Sequence, residues 1–336
     1  MEKWSGKPVS FADSTITGGF WKTEQDLCRK VTVNAVYDRF EETGRFEALK
    51  MQWKKGMPNQ PHIFWESDVT KWIEGAAYFL KKERDPELEA KIDELVGRME
   101  RTQDTNGYLN AYFTVVEPKA RFTRRTDHEL YCAGHLIEGA IAYKEATGKD
   151  NMLRVAMKYA DLIDRVFRVE HSAAFDTPGH EEIELALMKL YHYTGEERYF
   201  KLAEYFINTR GTNHFFEEEF EKRDHVSFWE KARTPEPNRY YNQYPYNYYN
   251  QFQSPVREQK KAVGHAVRGV YMYTAMADMA AKTGDKELFK ACRTIWDDIV
   301  NCQMYITGGI GSTNSGEAFT KDYDLPNDTN YSETCA

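Results

Sequence analysis

The sequence is poor in the features that mark secreted, membrane and nucleic-acid-binding proteins. Cysteine is scarce, with five residues in 336: Cys28, Cys132, Cys292, Cys302 and Cys335. Their odd number and scattered spacing exclude a disulfide framework and predict reduced thiols in a cytoplasm. No run of residues approaches the ~18 apolar positions of a bilayer span, so no contact with a membrane is expected. The opening stretch MEKWSGKPVSFADSTITGGFW has no apolar h-region, which predicts a chain without a signal peptide. Basic blocks are also missing. Net charge is −8 with both signs spread along the chain, so nucleic acid is not an expected partner.

Aromatic residues are abundant. There are 22 Tyr, 19 Phe and 7 Trp, within an apolar content of 41%. That is enough to bury a sizeable core. Tyrosine favours sites with one wet end and one dry one, so many tyrosines should line clefts. Aromatic clefts suit the apolar faces of sugars, although the same composition also builds helical cores.

Most of the chain reads as helix. The stretch from Asp68 puts Trp72, Ala76 and Phe79 on one face, and the stretch from Pro86 does the same for Leu88, Ile92, Leu95 and Met99. Period-2 alternation is confined to KPVSFADSTI, from Lys7. Three longer stretches, from Leu136, Glu182 and Gly269, repeat one pattern: an apolar helix, Thr-Gly, a charged turn and a second apolar helix. The Thr-Gly pairs begin at Thr147, Thr194 and Thr283, spaced by 47 and 89 residues, the second nearly twice the first. Glycine suits a helix C′ position because it accepts positive φ. A related hairpin, with Asp-Pro in place of Thr-Gly, falls between Lys81 and Pro86. Helical hairpins of this length stack into open solenoids or close into toroids. Tyr/Asn/Gly-rich loops, helices apolar over much of their circumference and histidines at helix starts favour closure. The expected fold is all-α, an (α/α)6 toroid of hairpins, incomplete at its C-terminus.

The histidines fall where such a toroid would gather them. His128 and His135 lie in RRTDHELYCAGHLIEGA, His180 in DTPGHEEIELAL and His265 in KKAVGHAVRGVYMY. Inner helices that run the same way start at one rim, so His135, His180 and His265 are expected to converge on one cleft. Each could otherwise simply cap its own helix. His192, His214 and His225 read as surface residues. The loop from Gln243, QYPYNYYNQFQSPVREQ, reads as a rim or lid, or equally as a packed extended segment. The Gly-Gly-Ile-Gly run at Gly308 lacks the Lys-Ser/Thr of a phosphate loop, and its expected use is to let backbone approach a ligand closely. Glu317 follows it. Desolvation near aromatics would raise its pKa, which suits a general acid. Glu333 and Cys335, two apart, point the same way if the segment is extended, and could give one ion a carboxylate oxygen and a thiolate.

Six of these stretches together resemble one family: SDVTKWIEGAAY, HELYCAGHLIEGAIAY, GHEEIELALMKLY, GHAVRGVYMY, MYITGGIGS and GEAFTKDYDLPNDTNYSETCA. They are similar to the β-L-arabinofuranosidases of glycoside hydrolase family 127, over a span from ITGGFW to the last residue. The resemblance implies an (α/α)6 toroid followed by β-sandwich domains, and a retaining hydrolase whose nucleophile is a zinc-bound cysteine. It implies that Glu317 is the general acid/base, that Glu333 and Cys335 are zinc ligands, and that His135, His180 and His265 contact the sugar. The substrate it implies is a small carbohydrate, an arabinofuranoside or plant-derived oligosaccharide, and the full-length protein could form a homodimer. The family's remaining two zinc ligands, an adjacent Cys-Cys pair that includes the nucleophile, have no match in these 336 residues. The expectation is therefore the N-terminal part of a catalytic domain, without the β-sandwich domains and inactive alone. Two other readings compete: another (α/α)6 sugar enzyme, such as an epimerase or an unsaturated uronyl hydrolase, and a non-catalytic carbohydrate-binding repeat protein.

Overall fold

The structure is a computed structural model, and it describes residues 9, 11–212 and 246–336. Helix α1 (Gly19–Leu27) runs through a π-helical turn, Cys28–Thr32, into α2 (Val33–Glu42), and a single turn, α3 (Arg45–Ala48), follows. Four hairpins come next: α4 (Trp65–Lys82) with α5 (Pro86–Thr102), α6 (Glu129–Thr147) with α7 (Asn151–Asp164), α8 (Glu182–Thr194) with α9 (Glu197–Thr209), and α10 (Ala266–Thr283) with α11 (Lys286–Asp298). Among the described residues there are no β-strands, only two isolated bridges, His265 with Ala318 and Thr313 with Ala318. The alternation seen from Lys7 does not make a strand in its described part. Phe11–Asp13 forms a 3-10 turn, and no strand among the described residues offers it a ladder partner. Residues 7, 8 and 10 lie outside the described residues.

The turns explain the repeat. Thr147, Thr194 and Thr283 each donate the hydroxyl back to a carbonyl four residues earlier, at 2.7, 2.7 and 2.8 Å. The same hydroxyls accept the N–H of Lys149, Glu196 and Asp285, two residues on. Between donor and acceptor sits the left-handed glycine, with φ of 77°, 75° and 72° at Gly148, Gly195 and Gly284. A threonine that satisfies both sides of a helix end, followed by the residue that tolerates the turn, stops one helix and starts the next. In the Asp-Pro hairpin, Asp85 caps α5 by accepting the Leu88 N–H at 3.1 Å.

Helices α4, α6, α8 and α10 lie side by side in chain order, and α5, α7 and α9 pack outside them in the same order, with α11 against α10. The inner helices bury residues around most of their circumference. α6 is buried from Glu129 to Tyr143 except at Tyr131. The outer helices bury one face: α7 turns Met152, Val155, Ala156, Tyr159 and Ile163 inward. Each fully buried large apolar side chain, such as Phe113, Phe206 or Ile63, contributes about 1.5–3 kcal/mol. The all-helical hairpin architecture read from the sequence is the one found, a two-layered arc of a helical barrel.

Candidate active site

The loops that precede α6, α8 and α10 meet at one rim. His128 enters α6 in left-handed backbone, φ 61°, with Nδ1 2.8 Å from the Thr126 carbonyl. His180 precedes α8, and its ring centre is 5.7 Å from His128 and 5.9 Å from His265. Tyr131 stands among them, 4.3 Å from the His180 ring and 4.5 Å from His135. His180 and His265 thus meet directly, and His135 joins one turn deeper, behind Tyr131. This is the convergence expected of inner helices that start at one rim. His135, His180 and His265 are only 3%, 8% and 6% exposed. Burial disfavours the imidazolium, so His135 and His180 are held well below the usual histidine pKa. His265 is pulled down to about 4 by burial, against the opposing pull of Glu317.

Local chain geometry fixes the His265–Glu317 pair. Gly264 has φ 71°, and a Cβ there would lie 2.2 Å from the Tyr248 carbonyl oxygen, so only glycine fits ahead of His265. His265 Nδ1 accepts the Arg268 N–H at 3.4 Å and so caps α10. With Nδ1 accepting, the proton belongs on Nε2, which lies 2.9 Å from Glu317 Oε2. Glu317 itself sits in left-handed backbone, φ 52°, after Gly316 at 77°. Such a position costs a non-glycine residue about 1 kcal/mol or more and is tolerated where surroundings enforce it. Here the enforcement is visible: the Glu317 carbonyl accepts Ala266 N–H at 2.9 Å, and Phe319 N–H bonds to the Gly264 carbonyl at 2.9 Å.

The direction of the Glu317 pKa differs from expectation. Donation from His265 lowers it, and this outweighs the desolvation that raises it. The side chain is 41% exposed, so its desolvation is partial. The glycine run also has a different use. The Gly311 carbonyl accepts the N–H groups of Tyr331 at 3.0 Å and Ser332 at 3.2 Å. The close approach it permits is to the chain's own tail.

That tail brings Glu333 and Cys335 to the same mouth. The segment is not extended: Ser332 has φ 36°, and Ala336 N–H returns to the Glu333 carbonyl at 3.3 Å. Partial burial and the Glu317 charge raise the Glu333 pKa. Cys335 is exposed overall, and partial desolvation of its thiol together with Glu333 raises its pKa. Among the described residues, no third His, Cys, Asp or Glu completes a metal cluster with them. The pair fits zinc by donor chemistry, as two of four ligands. Two other groups have metal-like spacing, Glu74–His135–Glu138 and Asp298–Cys302–Asp322. Lys261 already pairs with Asp322 in the second.

Several residues of the site lie within the quoted stretches but were not singled out there. Arg268 Nη1 bonds to the Gly179 carbonyl at 2.6 Å and to Asn250 Oδ1 at 3.0 Å, and its guanidinium lies 5.0 Å from the Tyr249 ring centre. It ties the loops before α8 and α10 together. A cation in the first turn of a helix opposes the helix dipole, which was the one available signal. Tyr131 and Tyr271 are single tyrosines in apolar helices, and nothing local distinguishes them from core. His192 is exposed, as expected, whereas His214, His225 and residues 243–245 lie outside the described residues. The described part of the Tyr/Asn loop is packed: Asn250 and Gln251 are fully buried, and Tyr249 lies 5.8 Å from His265.

The model of the β-L-arabinofuranosidase GH127 catalytic domain matches residues 13–336. The chain belongs to glycoside hydrolase family 127. A relative, the non-reducing end β-L-arabinofuranosidase of Bifidobacterium longum subsp. longum, is 41% identical over 280 residues, 82% of this chain and 41% of its own. The crystal structure of Ara127N-Se, a GH127 β-L-arabinofuranosidase from Geobacillus stearothermophilus T6, is 44% identical with a TM-score of 0.85, and the match covers 96% of this chain and 50% of that one. The GH127 β-arabinofuranosidase BT3674 is 37% identical with a TM-score of 0.82, over 98% of this chain and 49% of that one. The chain thus spans about half the length, or less, of these relatives.

Proposed function

We propose that this chain supplies the sugar pocket and the acid/base of a retaining hydrolase that releases L-arabinofuranose from β-L-arabinofuranosides. The observation that carries this reading is the His265–Glu317 pair, 2.9 Å apart, on a rim of buried neutral histidines and half-buried tyrosines. Neutral imidazoles and phenols hydrogen-bond hydroxyls without demanding a charge, which suits an uncharged sugar. The named relatives support it, since each is a β-arabinofuranosidase.

In this reading Glu317 protonates the leaving oxygen and later takes a proton from the water that releases the sugar. In the sugar-free protein, donation from His265 favours the Glu317 carboxylate, the form needed for the second step. The first step requires a proton on Glu317, so His265 must relax its hold when substrate fills the mouth. Zinc held by Glu333 and Cys335 would keep the sulfur as thiolate at neutral pH, against the desolvation that raises the thiol pKa. By motif, none of Cys28, Cys132, Cys292 and Cys302 takes the nucleophile's role, and Cys335 is read as a ligand. Cys132 is buried with Sγ 3.5 Å from the Ile63 carbonyl, and Cys302 Sγ lies 3.5 Å from the Tyr323 hydroxyl. The adjacent Cys-Cys pair implied by the resemblance is not among these 336 residues. We therefore propose that these residues alone bind sugar without turning it over. All five cysteines are free, which supports a reducing compartment such as the cytoplasm.

Calorimetric titration of the 336-residue chain with L-arabinose tests the pocket. His180→Phe and His265→Phe should each weaken binding roughly tenfold or more, and unchanged affinity in both sinks the reading. A parallel assay with an aryl β-L-arabinofuranoside should show no release. Turnover lost in Glu317→Gln but kept in Cys335→Ser would contradict the proposed chemistry.

A further inference from the structure

Beneath Tyr131, His135 is packed against charged groups that the sugar reading leaves unused. Its Nδ1 lies 3.4 Å from Glu182 Oε1 and 3.8 Å from Glu138 Oε2. Glu182 is completely buried. It reaches this position because residue 134 is glycine, where a Cβ would stand 2.6 Å from Glu182 Cγ. Glu138 is paired through its other oxygen, Oε1, with Lys189. Among the described residues, no partner stands in hydrogen-bonding geometry to either ring nitrogen of His135 or to either oxygen of Glu182, and the carboxylate approach at 3.4 Å is on the Nδ1 side.

A neutral imidazole carries one proton, and a buried N–H needs an acceptor. Both carboxylate oxygens that approach the His135 ring do so at Nδ1. We propose that Glu182 is a positioning residue that holds His135 in the Nδ1–H tautomer, leaving Nε2 as a bare acceptor for a ligand hydroxyl. The protons balance along the row. Lys189 is the cation, and Glu138 is the carboxylate that pairs with it. Burial and the Glu138 charge keep a proton on Glu182, which donates it to Glu138. The remaining Glu182 oxygen takes the His135 Nδ1–H. His265 has the opposite polarity, with Nδ1 accepting from Arg268 and Nε2 donating. The cleft therefore pairs one histidine that accepts with one whose N–H is given to Glu317. This selects a ligand with a hydroxyl at His135 over its deoxy or O-methylated analogue, which has no proton to give. The ligand rests on the sugar reading above; the tautomer does not.

The test is a long-range proton–nitrogen NMR spectrum of the histidine-15N-labelled chain, recorded without sugar. The expected result is Nδ1–H at His135 and Nε2–H at His265. Glu182→Met should convert His135 to Nε2–H, leave His265 unchanged and weaken L-arabinose binding roughly tenfold. Glu182→Gln keeps an acceptor oxygen and should retain the wild-type tautomer. A wild-type His135 protonated on Nε2 overturns the proposal before any variant is made. So does an Nδ1–H that persists in folded Glu182→Met. A His135 signal that a chelator alters also overturns it, since an ion held with Glu74 and Glu138 would then occupy the ring nitrogen. If the tautomers are as stated and the wild-type chain binds no arabinose, the sugar reading fails and the role of Glu182 stands.

Discussion

At the scale of single residues, the site is governed by what burial does to histidine. His265 titrates near 4 in the fold, against an ordinary value of 6.5, because its imidazolium would be desolvated. The unfolded chain takes up that proton first as pH falls. Stability from neutral His265 is therefore complete above 6.5 and is lost between 6.5 and about 4. A shift of this size corresponds to about 3 kcal/mol. Glu317 acts in the same direction: its depressed pKa contributes stability above its ordinary value of 4.5, lost as pH falls through the lower folded value. His265→Phe should lower stability at neutral pH by about 1 kcal/mol, through loss of the α10 cap. It should also flatten the acid limb. In urea melts, the difference in unfolding free energy between neutral pH and the low end of that window should shrink by about 3 kcal/mol relative to the wild type. An unchanged difference would show that this imidazole is not what titrates.

At the scale of elements, close approach of inner helices is set by glycines whose roles differ sharply. Gly139 of α6 faces α4, where a Cβ would stand 2.8 Å from the Thr70 carbonyl oxygen, and backbone cannot rotate aside. Gly139→Ala should cost about 1–3 kcal/mol in thermal or urea unfolding. Gly75 of α4 has nothing within 4 Å of the place its Cβ would take. There the ordinary helix preference for alanine decides, and Gly75→Ala should stabilise by about 0.5–1 kcal/mol. Equal effects would mean that the spacing of α4 and α6 is not limited by this contact. The hairpins themselves were legible because their stops are local. Thr147, Thr194 and Thr283 bond within four residues, so the pattern survives in the sequence. The tautomers and Arg268 were not legible, because they depend on which loops meet. The same holds for Glu317, where local surroundings suggest a raised pKa and a histidine 52 residues earlier lowers it.

At the scale of the whole molecule, the sharpest consequence concerns metal affinity. The Gly311 carbonyl seats Tyr331 and Ser332, and so holds the segment that carries Glu333 and Cys335. Preplacement removes part of the ordering cost, but it supplies only a carboxylate and a thiol. Both are disfavoured in their charged forms by desolvation, and Glu333 further by the nearby Glu317 charge. Zinc must displace a proton from the thiol, and two ligands leave the remaining positions to water. A cation there would also relieve the repulsion between Glu317 and Glu333, which favours binding without completing the shell. The balance predicts weak, pH-dependent zinc binding by these 336 residues. Affinity should rise with pH as the thiol deprotonates, and Cys335→Ser and Glu333→Gln should each abolish it. Equilibrium dialysis against a competing chelator, at two pH values, reads this directly. A stoichiometric submicromolar site would refute it, as would one that survives Cys335→Ser, because either requires ligands that the seated tail does not provide.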